Sequence, residues 1–526
     1  MATFEILLAL VGFCVVLALV AQRLNLPVAV PLVLGGMGLA LVPGLPVVEL
    51  NPELALALFL PPLLQASAYR TDWPAFRSNL RPILLLAVGA VFFTAACVAI
   101  VAKAMVPSLP WWAAIALGAI VAPPDAVAAA SVLKQFRLPR RIVVVLEGES
   151  LINDASSLVL YRFAVAAVAA GVASYGLGAL QLVGMSIGGA LVGWLTGRAA
   201  MWLFKRINDT LLDITVSLLA GFGAYLAAEA VHASGVLAAV ACGMVLGRQQ
   251  HAEFTAKTRL EMNAVWAFAE FLLASLVFML IGLQLRGIIE RLSEYDPWRL
   301  ALLGAAVSAT VIGSRFVWVF PTAWLPHVLS KRVREANPMP PLRHLTVLSW
   351  AGMRGVVSLA AALALPTQFP GRDIIIFLAF CAIFATLVLQ GTTLGWVVRK
   401  LGVVEEEPSI AEPEATQARA EIAEAALDAV RTHLDGNAQT GHAQAAAELV
   451  EEYEERAERA SLVGQDAQTH GRKLEAQQRL RLVAIDAARQ KLAAQTDQIE
   501  TETHRALGEE LDLEEQQIRR ALGEQA

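Results

Sequence analysis

The chain has 526 residues, of which 57% are hydrophobic and only 17% are charged, and its mean hydropathy is +0.58. So apolar a composition excludes an ordinary soluble protein of this size and indicates a polytopic membrane protein. Charge is divided along the chain, with 28 Lys and Arg against 19 Asp and Glu in residues 1–402, and 13 against 27 in residues 403–526. We therefore predict a transmembrane domain over 1–402 and an acidic, helical cytoplasmic domain over 403–526.

The first domain contains thirteen segments that meet the need of a membrane-spanning helix for about 20 mostly apolar residues. The fold class predicted is an all-α membrane protein with thirteen transmembrane helices. The first segment has no basic flank, so we expect a retained helix and not a cleaved signal peptide. The predicted spans are 3–21, 27–45, 52–68, 82–102, 111–133, 142–171, 177–201, 211–231, 234–247, 264–285, 300–325, 343–366 and 373–398.

Loop charge gives an orientation for these spans. With the N-terminus outside, twenty Lys and Arg fall in the inner loops and helix ends and five fall in the outer ones. Cytoplasmic loops are the ones enriched in Lys and Arg. The pattern predicts a multi-pass protein of the cell inner (plasma) membrane with its N-terminus outside and its C-terminus in the cytoplasm.

Predicted span five contains "GAIVAPPDAVAAASVL", residues 118–133. Two adjacent prolines remove hydrogen-bond donors and clash with the preceding turn, so they interrupt the helix. Non-helical backbone inside a membrane is tolerated where it lines a cavity or is buried in protein. Asp125 follows the prolines directly and is a candidate ion-binding residue.

Predicted span six contains the polar cluster "GESLINDASS", residues 148–157. Helical spacing places Ser150, Asp154 and Ser157 on one face, with Asn153 beside Asp154. Carboxylate and hydroxyl oxygens suit a hard monovalent cation. Burial disfavours the charged form of a carboxylate, so the same acid also suits a proton. Asp154 is thus a candidate for binding cation and proton in turn, and the alternative, that the cluster only joins helices by hydrogen bonds, stays open most for Ser157.

Predicted span twelve contains "SWAGMRGVVSLAAALALP", residues 349–366, in which two glycines flank Arg354. It occupies the same place in the second half of the domain as span five does in the first. Interrupted helices at matching positions of inverted repeats indicate the central site of a transporter. Spans four to six and eleven to thirteen would form the repeated triplets.

Other charged residues inside or beside spans have less specific interpretations. We expect Arg162 to reach the membrane interface and Glu270 to pair with Arg259 or Lys257. Glu229 and His232 are expected to form a helix-end pair, and an outer gate or a pH-sensitive pair is the alternative for them. The four cysteines lie in separate apolar segments and have neither disulfide nor metal spacing.

Four motifs together give the chain a family resemblance over residues 1–402. These are "GESLIND", "MRGVVSL", "HASGVLAAVACGMVLG" at 232–247 and "LVFMLIGLQL" at 276–285. The chain resembles the monovalent cation:proton antiporters, in the branch with bacterial sodium/proton antiporters and sodium/hydrogen exchangers. The resemblance implies a homodimer in which a mobile core moves as an elevator and in which spans five and twelve are broken and cross.

The resemblance also implies roles for individual residues. Asp154 would bind cation or proton, Ser150 would be a cation ligand, and Asn153 marks the Asn-Asp branch with electroneutral one-for-one exchange. Glu149 would pair with Arg315, and Arg354 would neutralise the crossing of the broken helices.

The chain departs from the family pattern in two places. In span three some members have an acid after a Pro-Pro pair, where this chain offers only Gln65 and Ser67. The other departure lies in span five. The family often has Thr-Asp-Pro where this chain has Pro124-Asp125-Ala126. We expect a backbone carbonyl near Val121 or Ala122 to supply the missing oxygen.

The leading hypothesis is exchange of Na⁺, and of Li⁺ as a second cation, for protons, with K⁺/H⁺ exchange as the alternative. One competing class is an intramembrane aspartyl hydrolase using Asp125 and Asp154, which gives the buried arginines and the matching interrupted helices no role. The other is a passive channel, which would need a continuous polar pore, whereas most of these spans are apolar all round. No cofactor and no nucleic-acid partner are expected, since the cations and protons are substrates and the bilayer is the surrounding partner.

The tail is rich in Ala, Glu, Gln and Arg. A single apolar row repeats every seven residues through Ile485, Leu492, Ile499, Ala506 and Leu513. A one-row heptad predicts a helical hairpin or a weak coiled coil. Both a regulatory or dimer-supporting role and a solvated extension without one remain open.

Overall fold

The computed structural model divides the chain into two compact units, residues 1–405 and 406–526. It contains helices and no strand among the residues that it describes. These residues are 2–24, 26–43, 52–125, 128–129, 133, 136, 138–170, 175–207, 209–292, 295–329, 339–403, 421–422, 424–429, 431–432, 450–454, 465–494 and 501–522.

The first unit is a bundle of apolar helices. Its helices are α1 (Ala2–Arg23), α2 (Ala29–Ala40), α3 (Pro52–Arg70), α4 (Trp73–Ser78), α5 (Leu80–Met105), α6 (Trp111–Val121), α7 (Arg140–Ala170), α8 (Tyr175–Phe204), α9 (Thr210–Ala230), α10 (Gly235–Glu253), α11 (Ala256–Leu283), α12 (Leu285–Arg291), α13 (Pro297–Leu329), α14 (Leu342–Trp350), α15 (Val356–Leu363) and α16 (Arg372–Lys400). Seven stretches of described helix, in α5, α7, α8, α9, α11 with α12, α13 and α16, are long and apolar enough to cross a membrane. The number of thirteen crossings stays a prediction.

Two groups of helices make up this bundle. In one group α10 packs against α3, α8 and α9, and α11 packs against α2. In the other group α6 packs between α5 and α7, and α13 packs against α5, α14 and α16. The candidate site lies where these two groups meet, so its walls come from both.

Capping side chains start several of the helices. Asp209, Ser234 and Thr255 precede α9, α10 and α11, and each accepts a hydrogen bond from a backbone N–H in the first turn of its helix. Such caps satisfy donors that have no partner within the helix. The serine of the "HASG" motif is thus the N-cap of α10, and His232 just before it has a positive φ of 56°.

Two helical interruptions fall in the predicted spans five and twelve. The helix α6 ends at Val121, two positions before the first of the adjacent prolines Pro123 and Pro124. The helix α14 ends at Trp350 and α15 begins at Val356, so residues 351–355 carry no helical turn. The backbone N–H of Asp125 donates to the carbonyl of Met353 at 2.6 Å, which joins the two non-helical segments directly.

Two helices also contain π-helical turns that the sequence did not indicate. They lie at Leu85–Ala90 in α5 and at Thr386–Gln390 in α16. A π-helical turn has i→i+5 hydrogen bonds and is frequent at functional sites. Trp318 donates its indole N–H to the carbonyl of Leu85 at 2.9 Å, and the hydroxyl of Thr386 accepts from the backbone N–H of Arg354 at 3.0 Å.

The second unit contains α17 (Gln465–Ala494) and α18 (Thr501–Ala521), which pack against each other. Arg489 on α17 forms ion pairs with Asp512 and Glu515 on α18, and Ile485 and Ile518 are both buried. These contacts join the two helices, as the predicted helical hairpin requires. Leu513 of the predicted heptad row is exposed, so that row does not continue as a buried seam into α18.

Candidate ion-binding site

A small cavity of about 50 Å³ lies between the two groups of helices. Its polar wall is formed by Asp125, Ser150, Asp154 and Ser358 from the second group. The opposite wall comes from α3 and α11 of the first group and is apolar except for Ser67, with Leu63 and Phe278 among the lining residues. A water molecule needs a cavity of at least about 10–15 Å³, so this space is large enough for a small ion.

Asp154 lies on the wall of this cavity, in the middle of α7, and its exposed fraction is 7%. Ser150 lies one helical turn before it and lines the same cavity. Asp125 reaches the cavity from the segment that follows α6. The structure therefore brings three of the predicted site residues to one cavity, and their oxygens are of the kind that a hard monovalent cation prefers.

Asn153 lies behind this wall, with no exposed surface and outside the cavity lining. Its side-chain amide donates to the carbonyl of Pro124 at 2.8 Å. Its amide oxygen has no hydrogen-bond partner among the described groups. Asn153 thus holds the non-helical segment beside Asp125 and does not reach the cavity itself.

Side chains take up the carbonyl groups that the interruption of α6 leaves free. Pro123 has no N–H to donate to the carbonyl of Ala119, and the hydroxyl of Ser157 donates to it instead, at 2.9 Å. A buried carbonyl without a partner costs about 1–3 kcal/mol, so this contact gives Ser157 a structural role. Ser157 lies outside the cavity lining.

Arg354 donates hydrogen bonds to further carbonyl groups at the end of α6. Its exposed fraction is 1%, and it donates to the carbonyls of Val121 at 2.9 Å and Ala122 at 3.1 Å, and also to that of Gly352. The carbonyl end of a helix carries partial negative charge, which a guanidinium offsets. The carbonyls of Val121 and Ala122 thus accept from Arg354, and the expectation that one of them supplies an oxygen to the ion stays a prediction.

Glu149 and Arg315 form a buried ion pair on the far side of α7 from the cavity. The two guanidinium nitrogens of Arg315 donate to the two carboxylate oxygens of Glu149 at 2.6 and 2.7 Å. Arg315 also donates from Nε to the carbonyl of Leu348 at 3.2 Å. The pair therefore joins α7, α13 and α14 at one point.

Gly355 is needed at the polar wall because it lies against Asp125. A Cβ atom built on Gly355 would overlap the Asp125 carboxylate, at a separation that real atoms do not show. Asp125 occupies the space that any other residue at 355 would fill. The glycine in the "MRG" sequence is thus explained by close approach to the site.

Arg162, Glu229 and Glu270 form ion pairs in the structure that the sequence did not indicate. Arg162 on α7 pairs with Glu229 on α9 at 2.8 Å, so Glu229 has a partner other than His232. Glu270 pairs with Arg70 at 2.6 Å, and the expectation that it pairs with Arg259 or Lys257 is wrong. Both true partners lie far away in sequence, and only the folded chain brings them close.

Sequence reasoning missed Thr386, whose hydroxyl accepts from the Arg354 backbone. It singled out Gln65 as a polar residue of span three but not its contact, a hydrogen bond donated to the carbonyl of Ser217 at 2.7 Å. Both are fully or almost fully buried. The available signal was a polar residue within an otherwise apolar span, which is weak because membrane helices often carry such residues at helix contacts.

Buried oxygen ligands on interrupted helices, set between two groups of apolar helices, define a polytopic secondary ion transporter. The chain belongs to the sodium/hydrogen exchanger family, whose transmembrane model matches residues 6–400. It is a multi-pass membrane Na⁺/H⁺ antiporter and not an enzyme, which removes the hydrolase hypothesis. The transported ions are its substrates, and no cofactor is expected in this family.

Individual relatives are similar over most of the chain. An uncharacterised Na⁺/H⁺ exchanger of Mycobacterium tuberculosis is 36% identical and covers 98% of this chain and 96% of its own length. The Na⁺/H⁺ antiporter NhaS2 of Synechocystis is 32% identical, covering 77% of this chain and 72% of its own length. The structure is also similar to that of the sodium proton antiporter MjNhaP1 of Methanocaldococcus jannaschii, with a TM-score of 0.60, 18% identity, and coverage of 76% of this chain and 99% of that one. This last similarity concerns the fold.

Proposed function

We propose that Asp154 is the shared binding group of the antiporter and that it carries either a sodium ion or a proton, never both. The observation that carries this proposal is the placement of Asp154, Asp125 and Ser150 on the wall of one small buried cavity. Ser150 and Asp125 supply further oxygens to the cation. Li⁺ is expected as a second transported cation because it prefers the same hard ligands.

Charge balance supports electroneutral exchange of one cation for one proton. The carboxylates of Asp125 and Asp154 line the cavity, the guanidinium of Arg354 lies buried at the interruption of α6, and Glu149 and Arg315 form an ion pair behind α7. Three formal negative charges and two positive ones leave one negative charge. A single monovalent ion neutralises it, and an unneutralised charge in so buried a place is costly. Either a proton or one sodium ion therefore completes the site.

The two-walled cavity supports an elevator mechanism. Both lining carboxylates, Asp125 and Asp154, come from α7 and the segment that follows α6, whereas α3 and α11 contribute apolar side chains together with Ser67. A group of helices that carries both carboxylates can slide along a mostly apolar surface while it keeps its charged contacts to the ion. The family resemblance supports a homodimer. The loop charges support an N-terminus outside and a C-terminus in the cytoplasm.

Transport by the full chain in proteoliposomes tests the proposal. A pH gradient is imposed, Na⁺, Li⁺ or K⁺ is added, and the movement of protons is followed with a pH-sensitive dye. Asp154→Asn is expected to abolish proton movement. The matched control is Asp213→Asn, since Asp213 is also buried but lies on α9 outside the cavity.

Two further measurements address competition and stoichiometry. If cation and proton compete for Asp154, the apparent KM for Na⁺ rises as pH falls, by about tenfold for each pH unit once the proton occupies most sites. Clamping the membrane potential should leave the rate unchanged. Full activity of Asp154→Asn, or a rate that follows the membrane potential, would contradict the proposal.

A further inference from the structure

A second cavity of about 190 Å³ lies apart from the ion site. It is enclosed by the start of α5, the start of α7, the end of α13 and α14. Its floor is apolar, with Leu86, Val145, Val319 and Leu345 forming a buried cluster of their own. The ion-binding mechanism makes no use of this cavity.

The rim of this second cavity is basic. Arg81 and Arg141 line it and are both exposed, and His344 lines it as well. Neither arginine forms an ion pair with a carboxylate in the part of the chain that the structure describes. By contrast, the neighbouring Arg140 pairs with Asp72. Two guanidinium groups without carboxylate partners at one rim form a site for an anion, and arginine matches phosphate well.

The surroundings of the cavity are those of a surface that faces lipid. Exposed apolar side chains flank it on both sides, with Leu80 and Leu84 on α5 and Trp324 and Leu325 on α13. The loop charges assign this end of the helices to the cytoplasmic side, where basic pockets between membrane helices bind anionic lipid headgroups.

We propose that this cavity binds an anionic phospholipid. The headgroup phosphate accepts hydrogen bonds from Arg81 and Arg141, and one acyl chain lies over the apolar floor between α5 and α13. A soluble anion fits the rim but leaves the floor unfilled, and an uncharged lipid fits the floor but leaves the arginines unneutralised. The combination of both features selects a ligand with a charged head and a hydrocarbon chain.

Such a lipid would contact the helices that carry the ion machinery. Val145 is one turn before Glu149 on α7, and Val319 is one turn after Arg315 on α13. The bound lipid therefore holds α7 and α13 together next to the buried ion pair. This predicts that the lipid raises the thermal stability of the transmembrane domain.

The test uses the full-length protein, stripped of lipid in detergent. It is titrated with dioleoyl phosphatidylglycerol, with dioleoyl phosphatidylcholine, which has the same chains and no net charge, and with inorganic phosphate, which has the charge and no chain. Bound lipid is counted by native mass spectrometry, and stability is followed as the midpoint of thermal unfolding. Of the three ligands, only phosphatidylglycerol is expected to bind stoichiometrically and to raise the midpoint of thermal unfolding.

Three variants distinguish binding at this cavity from a general attraction of anionic lipid to basic residues. The double variant Arg81→Gln with Arg141→Gln is expected to bind phosphatidylglycerol at least about tenfold more weakly, since it loses charge-assisted hydrogen bonds. Thr322→Phe fills the cavity from α13 and is expected to weaken binding with both arginines in place. The matched control Arg23→Gln with Arg198→Gln removes two exposed arginines elsewhere and should bind as the parent does.

Unchanged affinity in both the double variant and Thr322→Phe would overturn the proposal, as would equal binding of phosphatidylcholine. A midpoint shift that phosphate alone reproduces would also overturn it, because the acyl chain would then have no part. None of these readouts depends on ion transport.

Discussion

Arg315 and Glu149, which are 166 positions apart in the sequence, share two parallel hydrogen bonds of 2.6 and 2.7 Å in a place that water does not reach. Taking two charges out of water is costly, and the fork-to-fork geometry together with the contact to Leu348 offsets that cost. The pair fixes the position of α7 relative to α13 and α14. It thereby sets the depth at which Asp154, one turn and a residue further along α7, enters the cavity.

Removing one charge of this pair should destabilise the protein strongly. Glu149→Gln leaves Arg315 buried without a counter-charge, and we expect a loss of about 3–5 kcal/mol in the free energy of unfolding. The measurement is thermal or denaturant unfolding of the purified protein in detergent. The double variant Glu149→Leu with Arg315→Met should recover part of the loss, because it removes both charges. A single variant as stable as the parent would contradict the role assigned to the pair.

The exposed pair of Arg162 and Glu229 gives the contrasting prediction. Its side chains are 43% and 32% exposed, so solvent and salt screen the attraction, and such pairs contribute about 0–1 kcal/mol. Glu229→Gln should therefore leave the unfolding midpoint nearly unchanged. A destabilisation as large as that of Glu149→Gln would show that the pair is desolvated in the membrane.

Gly355→Ala should disturb the ion site directly. The added methyl group would overlap the carboxylate of Asp125, so Asp125 or the backbone of 351–355 must move. We expect sodium-driven proton movement to fall at least about tenfold, since displacements of about 1 Å cost this much at sites that need exact geometry. Gly223→Ala is the control, because a methyl group there meets no atom within 4 Å. Equal transport by both variants would show that Asp125 adapts without loss.

Ser150 and Ser157 lie on the same helix and should respond differently to the same substitution. Ser150 lines the cavity, so Ser150→Ala should raise the apparent KM for Na⁺ with little change in stability. Ser157 donates to the carbonyl of Ala119, so Ser157→Ala should lower the free energy of unfolding by about 1–3 kcal/mol. Ion-dependence curves and unfolding midpoints for both variants check the pair of predictions. The opposite pattern would exchange the roles given to the two serines.

Arg354→Lys keeps the charge but loses the planar fork. Arg354 reaches the carbonyls of Val121, Ala122 and Gly352 at once, which a lysine ammonium on a flexible stem does not reproduce. We expect lower stability and impaired transport in the lysine variant. Hydrogen exchange of the amides in residues 118–125 and 351–355 would report the loosening. Unchanged protection would show that charge alone suffices there.

Much of the site could be predicted because membrane sequences place strong limits on charge. Asp154, Glu149, Arg315 and Arg354 were conspicuous, since each interrupts an apolar span where a charge is costly. The prolines before Asp125 indicated the end of α6 by the same kind of local rule, because proline cannot donate to the preceding turn. The partner of a charged residue is much harder to predict when it lies far away in the sequence. The sequence favours a pair between Glu270 and nearby Arg259 or Lys257 on α11, whereas the fold brings Arg70 of α3 to Glu270.

The sequence by itself determined the class of protein, the apolar helices, the interruptions near Pro123 and Arg354, and the candidates for ion binding, because these follow from local chemistry in a medium without water. Only the tertiary structure decided which polar groups reach the cavity and which satisfy backbone. Neighbours on one helix point in different directions, so Asp154 lines the cavity while Asn153 holds Pro124 and Ser157 holds Ala119. That division depends on where α6 and α15 pack against α7, which no local pattern specifies.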